Sequence, residues 1–465
     1  MTEYLPCPAL ETWLTLGGDD RIELNPQGLN AYGYPPHPLM DWHGFSACTA
    51  SVISPRAWEA ARRLHERLPA TLTPECGVPE WQSIRANFLA LNNLADLKDI
   101  QLVFAASGSD AHGLAARLTR QYGKKMQMTV MADPAETGSR IVDILQAASG
   151  QAGERLITLP ARQSDGTRRP AGAVDADFEE QVAVWLKQGY GVRLIVLDVS
   201  KTGLTLPGRD CVLRLRQRYG PDLAIVVDAC QFRLSTTALR TYLKAGCLVI
   251  MTGSKFLGGP AFSGVLLLPA DASSANTTAL TLEASRHTDS NRGLLLRWAA
   301  ALSELERLRQ IPEPVIRRFQ RHFIASLSHH LMEQPLLALL DRPLASDETA
   351  GILPFWLRDG KDGKPASEAR TRQVFNTLQS RMLTTHPGFS LGQPVVCGRD
   401  REGARVVLRL ALSAPLVCLG VKNPAQVIAW ATQGLTQVTE LSGSANTFAT
   451  GRGHELQGRS FRPIA

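Results

Sequence analysis

Two ionisable side chains, Asp228 and Lys255, each follow a short apolar run that predicts a β-strand. The runs span 223–227 and 247–251, and the 27-residue spacing between the acid and the lysine leaves room for one helical crossover. Such a crossover favours two parallel strands in one sheet. Because ligands of open α/β sheets bind outside the carboxyl ends of the strands, we expect both side chains at one site.

An amine and a carboxylate in one site predict covalent chemistry on an aldehyde cofactor. A lysine can form a Schiff base with pyridoxal 5'-phosphate (PLP), and a carboxylate can keep the ring nitrogen of that cofactor protonated, which makes the ring an electron sink. We therefore assign Lys255 and Asp228 as catalytic residues. The alternative is that both are surface residues that merely end two strands.

A third strand-like run, 100–105, leads into Ser107-Gly108-Ser109, where a helix is expected to begin. The unpaired N–H groups at a helix start favour a phosphate, and glycine permits its close approach. We predict that Ser107, Gly108 and Ser109 contact the cofactor phosphate, with Thr252 reaching it from the other side. The alternative is that the serine and the following acid only cap the helix.

These segments resemble the cofactor-binding core of the fold-type-I PLP enzymes, closest to the class V aminotransferases, cysteine desulfurases and kynureninases. The pattern of that group is a strand ending Asp-x-x-Gln or His, a helix, a second strand, and Ser-x-x-Lys with a glycine-rich turn. Here Asp228-Ala229-Cys230-Gln231 and Thr252-Gly253-Ser254-Lys255 match it, with threonine in place of the serine. The resemblance covers most of residues 46–300 and implies that Gln231 and Thr252 also contact the cofactor.

The loop after the second strand departs from the family pattern. In the family this loop supplies an aromatic ring or a histidine that stacks on the cofactor ring, whereas here Thr137 occupies that place beside Glu136. We assign Thr137 to the cofactor site. Ring stacking is then weaker or moves to another residue, such as His112.

The segment 197–203 resembles a further family loop, with Lys201 near the position of an asparagine that approaches the 3-oxygen of the cofactor. Gln231 can supply that hydrogen bond instead. Lys201 is also the rival to Lys255 as the Schiff-base lysine. Lys255 has the more favourable flanks, since a hydroxyl precedes it by three residues and glycines follow it.

Strand-like and helix-like runs alternate from residue 100 onward, which predicts an α/β fold with a three-layer, mostly parallel sheet. We expect a smaller α+β domain at the C-terminal end, as in type I PLP-dependent transferases. The predicted seven strands span 100–105, 126–131, 155–159, 193–197, 223–227, 247–251 and 262–268.

The same pattern divides the chain into an N-terminal arm (1–53), a large PLP-binding domain (54–300) and a small C-terminal domain (301–465). In the arm, Tyr32, Tyr34 and His37 are candidate substrate contacts, and the alternative is that these rings only anchor a surface arm. In the small domain, Arg409 resembles the arginine that binds the substrate α-carboxylate in such enzymes, because its planar fork suits that group. Arg405 is the alternative register, and a purely structural arginine is a third possibility.

Composition excludes several other classes of protein. The chain has 465 residues, 44% of them hydrophobic and 20% charged, with a net charge of +7, which is typical of a globular protein of two or three domains. The basic residues are scattered, so no nucleic-acid partner is predicted. The eight cysteines show no CxxC pair or zinc spacing, so no metal site is predicted. No apolar stretch reaches about 18 residues and no secretory signal is evident, so we expect a cytoplasmic protein without a membrane span.

Together these features predict a PLP-dependent enzyme that acts on an amino acid or amine, by transamination in the first place, and that forms a homodimer. One alternative is a lyase of the desulfurase or kynureninase kind. Cys397, 12 residues before Arg409, is the candidate thiol of a desulfurase, although its neighbours lack the histidines of that motif. The other alternative is a binding protein that keeps the cofactor pocket without turnover.

Overall fold

The computed structural model describes residues 9–69, 74–120, 127–138, 140–147, 155–270, 280–283, 290–341, 351–359, 363–401 and 403–444, with the side chains of 74–78 and 444 outside that description. The helices are α1 (Leu10–Leu14), α2 (Pro55–Arg67), α3 (Pro74–Leu91), α4 (Gly108–Leu118), α5 (Ile141–Ala147), α6 (Ala171–Lys187), α7 (Arg209–Tyr219), α8 (Thr236–Lys244), α9 (Arg292–Arg309), α10 (Glu313–Glu333), α11 (Glu368–Arg381), α12 (Ala414–Lys422) and α13 (Pro424–Ser444). The strands are β1 (Trp42–Phe45), β2 (Gln101–Ala105), β3 (Gln127–Ala132), β4 (Arg155–Leu159), β5 (Gly191–Asp198), β6 (Thr205–Leu206), β7 (Leu223–Ala229), β8 (Leu248–Thr252), β9 (Gly264–Leu268), β10 (Leu337–Leu339), β11 (Ile352–Leu357), β12 (Gly388–Asp400) and β13 (Gly403–Ala411).

The large sheet has the strand order β2-β9-β8-β7-β5-β3-β4, and the two-residue β6 pairs with β5. Five adjacent strands run parallel to one another, namely β8, β7, β5, β3 and β4. Strand β9 is antiparallel to both β2 and β8. The predicted α/β class, with seven long strands in a mostly parallel sheet, is therefore confirmed. Strands β5, β7 and β8 are almost wholly buried and apolar, as expected for parallel strands covered by helices.

The helix starts along this sheet follow local capping rules. Ser54 accepts a hydrogen bond from the Ala57 amide at the start of α2, where proline occupies the first turn. Ser235 caps α8 in the same way through Ala238. These caps fix the points at which the chain leaves the sheet and enters each helix.

The smaller sheet has the order β1-β12-β13-β11-β10. Its strands are antiparallel except for β1, which comes from the N-terminal end of the chain and pairs in parallel with β12. The residues near the N-terminus thus complete a sheet that is otherwise built from the C-terminal part. The mixture of this sheet with α10 to α13 confirms the predicted smaller α+β unit. Among the described residues, no helix is both long enough and apolar enough to cross a membrane.

Candidate active site

Asp228 lies near the carboxyl end of β7, in the middle of the large sheet, and its side chain is held by three donors. Its Oδ2 atom accepts hydrogen bonds from His112 Nε2 at 3.1 Å and from Thr137 Oγ1 at 3.3 Å. The Oδ1 atom accepts from the backbone N–H of Cys230 at 3.0 Å. The carboxylate is therefore fixed in one orientation.

The surroundings of Asp228 keep it ionised. Burial alone would raise the pKa of the carboxyl group, but the nearby His112, the charge of Lys255 and a hydrogen bond from the Cys230 side chain together lower that pKa well below its usual value. Asp228 is consequently a carboxylate at any pH at which the protein would work. It can hold a positively charged N–H group at this position.

His112 lies in α4 and is completely buried. A carboxylate has no proton to donate, so the hydrogen bond to Asp228 places the imidazole proton on Nε2. The Nδ1 atom has no hydrogen-bond partner among the described residues. The alternative that His112 stacks on a cofactor ring is disfavoured, because the residue is completely buried and is not among the residues that line the cleft.

Lys255 follows β8, one strand away from β7, as the spacing predicts. Its backbone carbonyl accepts hydrogen bonds from Ser51 Oγ at 2.9 Å and from the Gly258 amide at 3.0 Å, which fix the turn that carries it. Its ammonium group is close enough to Asp228 to lower the pKa of that carboxyl group. The amine and the carboxylate therefore share one site.

This site is a cleft with an empty volume of about 1560 Å³, counted to its open mouth. Most of the side chains predicted from the sequence lie on its wall. Those on the wall are Ser107, Gly108, Ser109, Asp228, Thr252, Lys255 and Arg409. Thr137 and Gln231 are buried and are not among the lining residues.

The end of the cleft at the start of α4 has the form of an anion site. Ser107 caps the helix by accepting a hydrogen bond from the Asp110 amide, so the N–H groups of Gly108 and Ser109 stand at the open helix start. A Cβ atom on Gly108 would lie 2.9 Å from Cys230 Sγ, and one on Gly264 would lie 2.3 Å from the Ser107 carbonyl oxygen. Both positions require glycine because other groups pack directly against the loop.

Two predicted cofactor contacts make hydrogen bonds within the protein. Thr252 Oγ1 donates to the carbonyl oxygen of Cys230 at 2.7 Å, and its methyl group packs near Gly108. Gln231 Nε2 donates to the carbonyl oxygen of Cys48 at 3.0 Å, and its Oε1 atom has no partner among the described residues. Thr252 thus meets the cleft beside the anion site, whereas Gln231 lies behind the wall.

Lys201, the rival lysine, lies on the same cleft. Its amide donates to the Glu136 carbonyl at 2.9 Å, and its carbonyl accepts from Arg409 Nη1 at 3.1 Å, so its backbone is held at both ends. Burial, followed by the charges of Arg409 and Lys255, lowers the pKa of the Lys201 ammonium to about 8. The site therefore contains a second amine that changes charge near neutral pH.

A buried network holds the loop of Lys201 in place. The carboxylate of Glu136 accepts hydrogen bonds from Ser200 and Thr202 at 2.7 Å each and from Arg162 Nε at 2.9 Å. Burial alone would raise the pKa of Glu136, but Arg162 and the two hydroxyls lower it, so the acid is ionised and paired. Because Glu136 precedes Thr137, the same loop supports Asp228 and Lys201.

Arg409 reaches the cleft from β13, but the protein occupies most of its donors. Its Nε and Nη2 atoms donate to the carbonyl oxygen of Gln393 at 3.1 and 2.7 Å, Nη2 also donates to Thr49 Oγ1 at 2.9 Å, and Nη1 donates to Lys201. One N–H of Nη1 is left for a ligand, where a bidentate carboxylate contact needs two donors. Arg405, the alternative register, pairs with Asp400 and is not among the residues that line the cleft.

Comparison with known proteins bears on the fold. No protein-family model and no curated protein sequence matches this chain. The solved structures that match it include the glutamate decarboxylase domain of diaminobutyrate-pyruvate transaminase and L-2,4-diaminobutyrate decarboxylase from Vibrio parahaemolyticus, with a TM-score of 0.55, 12% identity, and coverage of 86% of this chain and 81% of that one. The cysteine desulfurase CsdA from Escherichia coli gives a TM-score of 0.55 at 13% identity, covering 86% of this chain and 95% of that one. Oryza sativa TDC, solved with PLP and tryptamine, gives 0.53 at 16% identity, covering 87% and 84%.

This chain has the fold of those proteins. The similarity extends over more than four fifths of its length. At these identities the likeness establishes the fold and leaves the chemistry to the residues of this cleft. The fold-type-I architecture expected from the sequence is confirmed at that level.

Several cationic side chains on the cleft wall were not assigned from the sequence. Arg21, Arg140 and Arg372 join Lys201 and Arg409 there, and no periodic pattern or family motif marks the first three. Arg21 pairs with Asp19, and Arg372 pairs with Glu368, so their charges are partly neutralised locally. Their presence makes the mouth of the cleft suitable for anionic groups.

The N-terminal arm supplies one of its three candidate aromatic contacts. Tyr32 lines the cleft and lies 6.1 Å from the ring of Phe262, centroid to centroid. Tyr34 is buried against Trp42, and the ring of His37 is exposed beside Pro38. Only Tyr32 of the three is therefore placed to meet a substrate.

His112, Asp228 and Cys230 form the one group of described residues whose donor atoms lie close enough to hold a metal, all within 4.8 Å of one another. Burial and the adjacent Asp228 raise the pKa of the Cys230 thiol well above its usual value, so it is a poor source of the thiolate that metals prefer. The group is better explained as the support of the Asp228 carboxylate.

Proposed function

We propose that this protein is a PLP-dependent enzyme that acts on an amino acid or amine. The observation that carries the proposal is the ionised, triply hydrogen-bonded Asp228 in one cleft with Lys255 and the open helix start at Gly108. A positively charged ring, an aldehyde and a phosphate are the three groups for which these residues are complementary. One small molecule that carries all three is PLP.

Each part of the cleft then has a defined role. When bound, PLP would supply an aldehyde that takes up amines and a protonated ring that accepts negative charge. Asp228 would hold the ring N–H, and the N–H groups of Gly108 and Ser109 would bind the phosphate. Lys255 would hold the cofactor covalently and then move a proton at the substrate Cα atom.

The substrate carboxylate would be bound by Lys201 together with the remaining N–H of Arg409. Lys201 suits this role because its backbone is fixed and the residue lines the cleft. Arg409 then serves mainly to position the Lys201 loop against Gln393 and Thr49. The assignment of Arg409 as the substrate-binding arginine stays a prediction in this weaker form.

Transamination and a lyase reaction are the two chemistries we propose, in that order. The solved structures of similar fold include a decarboxylase domain and a cysteine desulfurase, which supports the lyase alternative equally well. A desulfurase that uses Cys397 is disfavoured, because that thiol is buried within β12 and burial raises its pKa to about 12. Replacing Cys397 by alanine is therefore expected to leave any release of sulfide from cysteine unchanged.

The experiment is a screen of amino acids and amines with the PLP-loaded protein, followed by mass spectrometry. Transamination gives a keto acid and aminates an added acceptor, whereas decarboxylation gives an amine and needs no acceptor. Loss of the product in Lys255→Ala is expected in either case. A protein that binds PLP but converts no member of the set would support the binding-protein alternative instead.

We also propose that residues 54–300 form the cofactor domain, that 301–465 form the small domain, and that the enzyme is a homodimer. The first of these rests on the positions of Gly108, Asp228 and Lys255 in the large sheet. The dimer follows the resemblance to fold-type-I enzymes. Light scattering on the purified protein measures it.

A further inference from the structure

A second cavity lies beside the segments that follow Asp228 and Lys255 in the chain. It has an empty volume of about 860 Å³, counted to its mouth, and it shares no lining residue with the cleft. We call it the arginine cavity. Its wall consists of Val199, Gly203, Thr205, Arg209, Phe232, Arg233, Leu234, Ser235, Phe256, Leu305, Leu308, Arg309, Glu313, Ile316, Arg317 and Gln320.

The charges on this wall are mostly positive. Four arginines line it, and Glu313 is the one acidic side chain among its lining residues. Arg317 pairs with Glu313 on the same helix, and Arg209 donates two hydrogen bonds to Asp198. Even with these pairs, the cavity is a favourable place for an anion.

The other two arginines donate to neutral oxygens. Arg233 Nη2 donates to the Leu412 carbonyl at 2.8 Å, and its guanidinium lies 4.8 Å from the centre of the Phe256 ring. Arg309 donates to the Leu91 carbonyl at 2.8 Å and to Asn92 Oδ1 at 3.3 Å. Both arginines are half-buried, and this burial lowers the pKa of Arg233 to about 10 and also lowers that of Arg309. An anion would stabilise such charges more than it would at the surface.

The remaining wall is apolar and offers space for a hydrocarbon group. Besides the half-buried Val199, six of the lining side chains are aromatic or aliphatic. They are Phe232, Leu234, Phe256, Leu305, Leu308 and Ile316, and all six are buried. A cavity with an apolar body and convergent charged groups is typical of a small-molecule site.

The cavity also joins parts of the chain that belong to different sheets. Arg233 and Ser235 follow β7 of the large sheet, whereas Arg317 and Gln320 lie on α10, which packs against the strands and helices of the C-terminal part. A Cβ atom on Gly351, just before β11, would lie 3.3 Å from Arg233 Nη1 and 3.5 Å from Gln320 Nε2. A ligand here would contact both sides of the junction.

We propose that the arginine cavity binds a small organic anion, a carboxylate or phosphate attached to an apolar group, at a site separate from the cleft. The arginines bind the anionic head, and the phenylalanine and leucine side chains contact the apolar body. The site does not depend on the proposed cofactor. Its ligand would touch the chain immediately after Lys255, at Phe256, and on either side of Lys201, at Val199 and Gly203.

The test is calorimetric titration of the full-length protein with phenyl phosphate and with inorganic phosphate. The protein is first loaded with PLP, so that any phosphate site in the cleft is filled, and is then freed of unbound PLP by gel filtration. We expect phenyl phosphate to bind with one site per chain and more tightly than inorganic phosphate. The variant Arg317→Gln should bind phenyl phosphate about tenfold or more weakly, because it loses a charged hydrogen-bond donor. The control is Arg318→Gln, the exposed neighbour outside the cavity, which should bind like the wild type.

The proposal is overturned if the wild type does not bind phenyl phosphate, or if Arg317→Gln and Arg318→Gln bind it equally well. Arg317 is partly exposed, so its replacement is not expected to prevent folding, and thermal unfolding of both variants checks this. The comparison of the two variants gives its answer whether or not PLP attaches to Lys255. Failure of the proposed enzyme function is therefore distinguishable from failure of this site.

Discussion

At the scale of single residues, the proposed binding of PLP in the cleft depends on the charge state of Asp228. Its pKa is low because His112 offsets the effect of burial. His112 is a positioning residue, since it touches the carboxylate and not the cleft.

We predict that His112→Leu weakens the binding of PLP by roughly 10- to 100-fold, the usual value of a hydrogen bond to a charged group. His112→Gln, whose amide can still donate to Asp228, should recover much of the loss. Titration of each apoprotein with PLP measures this. Equal affinities of the wild type and His112→Leu for PLP would show that the hydrogen bond from His112 to Asp228 does not contribute to PLP binding.

Lys201 gives a pH dependence with a definite sign. Its pKa in the folded protein is about 8, below the ordinary value of 10.5, so the unfolded chain binds a proton that the folded chain has lost between these two pH values. The contribution of Lys201 to stability therefore rises with pH across that window, by at most about 3 kcal/mol.

We predict that the difference in unfolding free energy between the apoprotein and its Lys201→Met variant shifts in favour of the wild type from pH 8 to pH 10.5. Below pH 7 the difference should be constant, because Lys201 is protonated in both states. Urea unfolding at a series of pH values measures this. A difference that does not change with pH would contradict the position we give to Lys201.

The residues that follow a predicted strand could be identified from the sequence. The hydrophobic pattern of each run, the spacing between runs and the composition of the turns mark where a strand ends. Asp228, Lys255 and Gly108 were found in that way. The partners of Asp228 were not, because His112 and Thr137 reach it from other elements and only the folded chain brings them together. The arginines on the cleft wall, such as Arg21, carry no local sequence signal.

At the scale of elements, the loops after β3 and β5 are joined by the buried Glu136 network. We predict that Glu136→Gln destabilises the protein by about 3–5 kcal/mol, because it leaves the buried charge of Arg162 with one partner fewer. Chemical unfolding of the two proteins measures this. Glu179→Gln, which removes a surface pair with Arg214, is the matched control and should change stability little.

Glu136→Gln should also lower enzyme activity more than Glu179→Gln does, because Glu136 holds the loop that carries Lys201. Equal stability of Glu136→Gln and Glu179→Gln would contradict a stabilising role for the Glu136 network.

The contact between β9 and the helix start at Gly108 gives a second test at this scale. Gly264→Ala places a methyl group 2.3 Å from the Ser107 carbonyl oxygen, so the loop must move. We predict a loss of stability of about 1–3 kcal/mol and weaker PLP binding. Gly172→Ala is the control, because a Cβ there meets nothing within 4 Å in helix α6, and it should be neutral or slightly stabilising.

Helices and strands with a regular hydrophobic pattern could be predicted from the sequence, and those without such a pattern could not. The seven long strands of the large sheet were expected from their apolar runs. Strand β12 was missed because Gly392 and Pro394 interrupt it and its pairing with β13 shifts register twice. Helix α12 was missed because it follows β13 after only two residues and is as apolar as a strand.

At the scale of the whole molecule, a strand from the N-terminal part of the chain pairs with a strand from the C-terminal part. Strand β1 pairs with β12 in parallel, and Arg409 joins that sheet to Thr49 and to Lys201, which follows β5 of the large sheet. Such long-range pairings leave no local sequence signal, so the arm could be recognised only as an irregular segment. The cleft and the arginine cavity both lie where these distant parts meet.

The most direct measurement is to treat the PLP-loaded protein with borohydride, digest it and map the modified peptide by mass spectrometry. We expect one PLP adduct on Lys255 and none on Lys201. An adduct on Lys201, or a protein that retains no PLP after reduction, would contradict it.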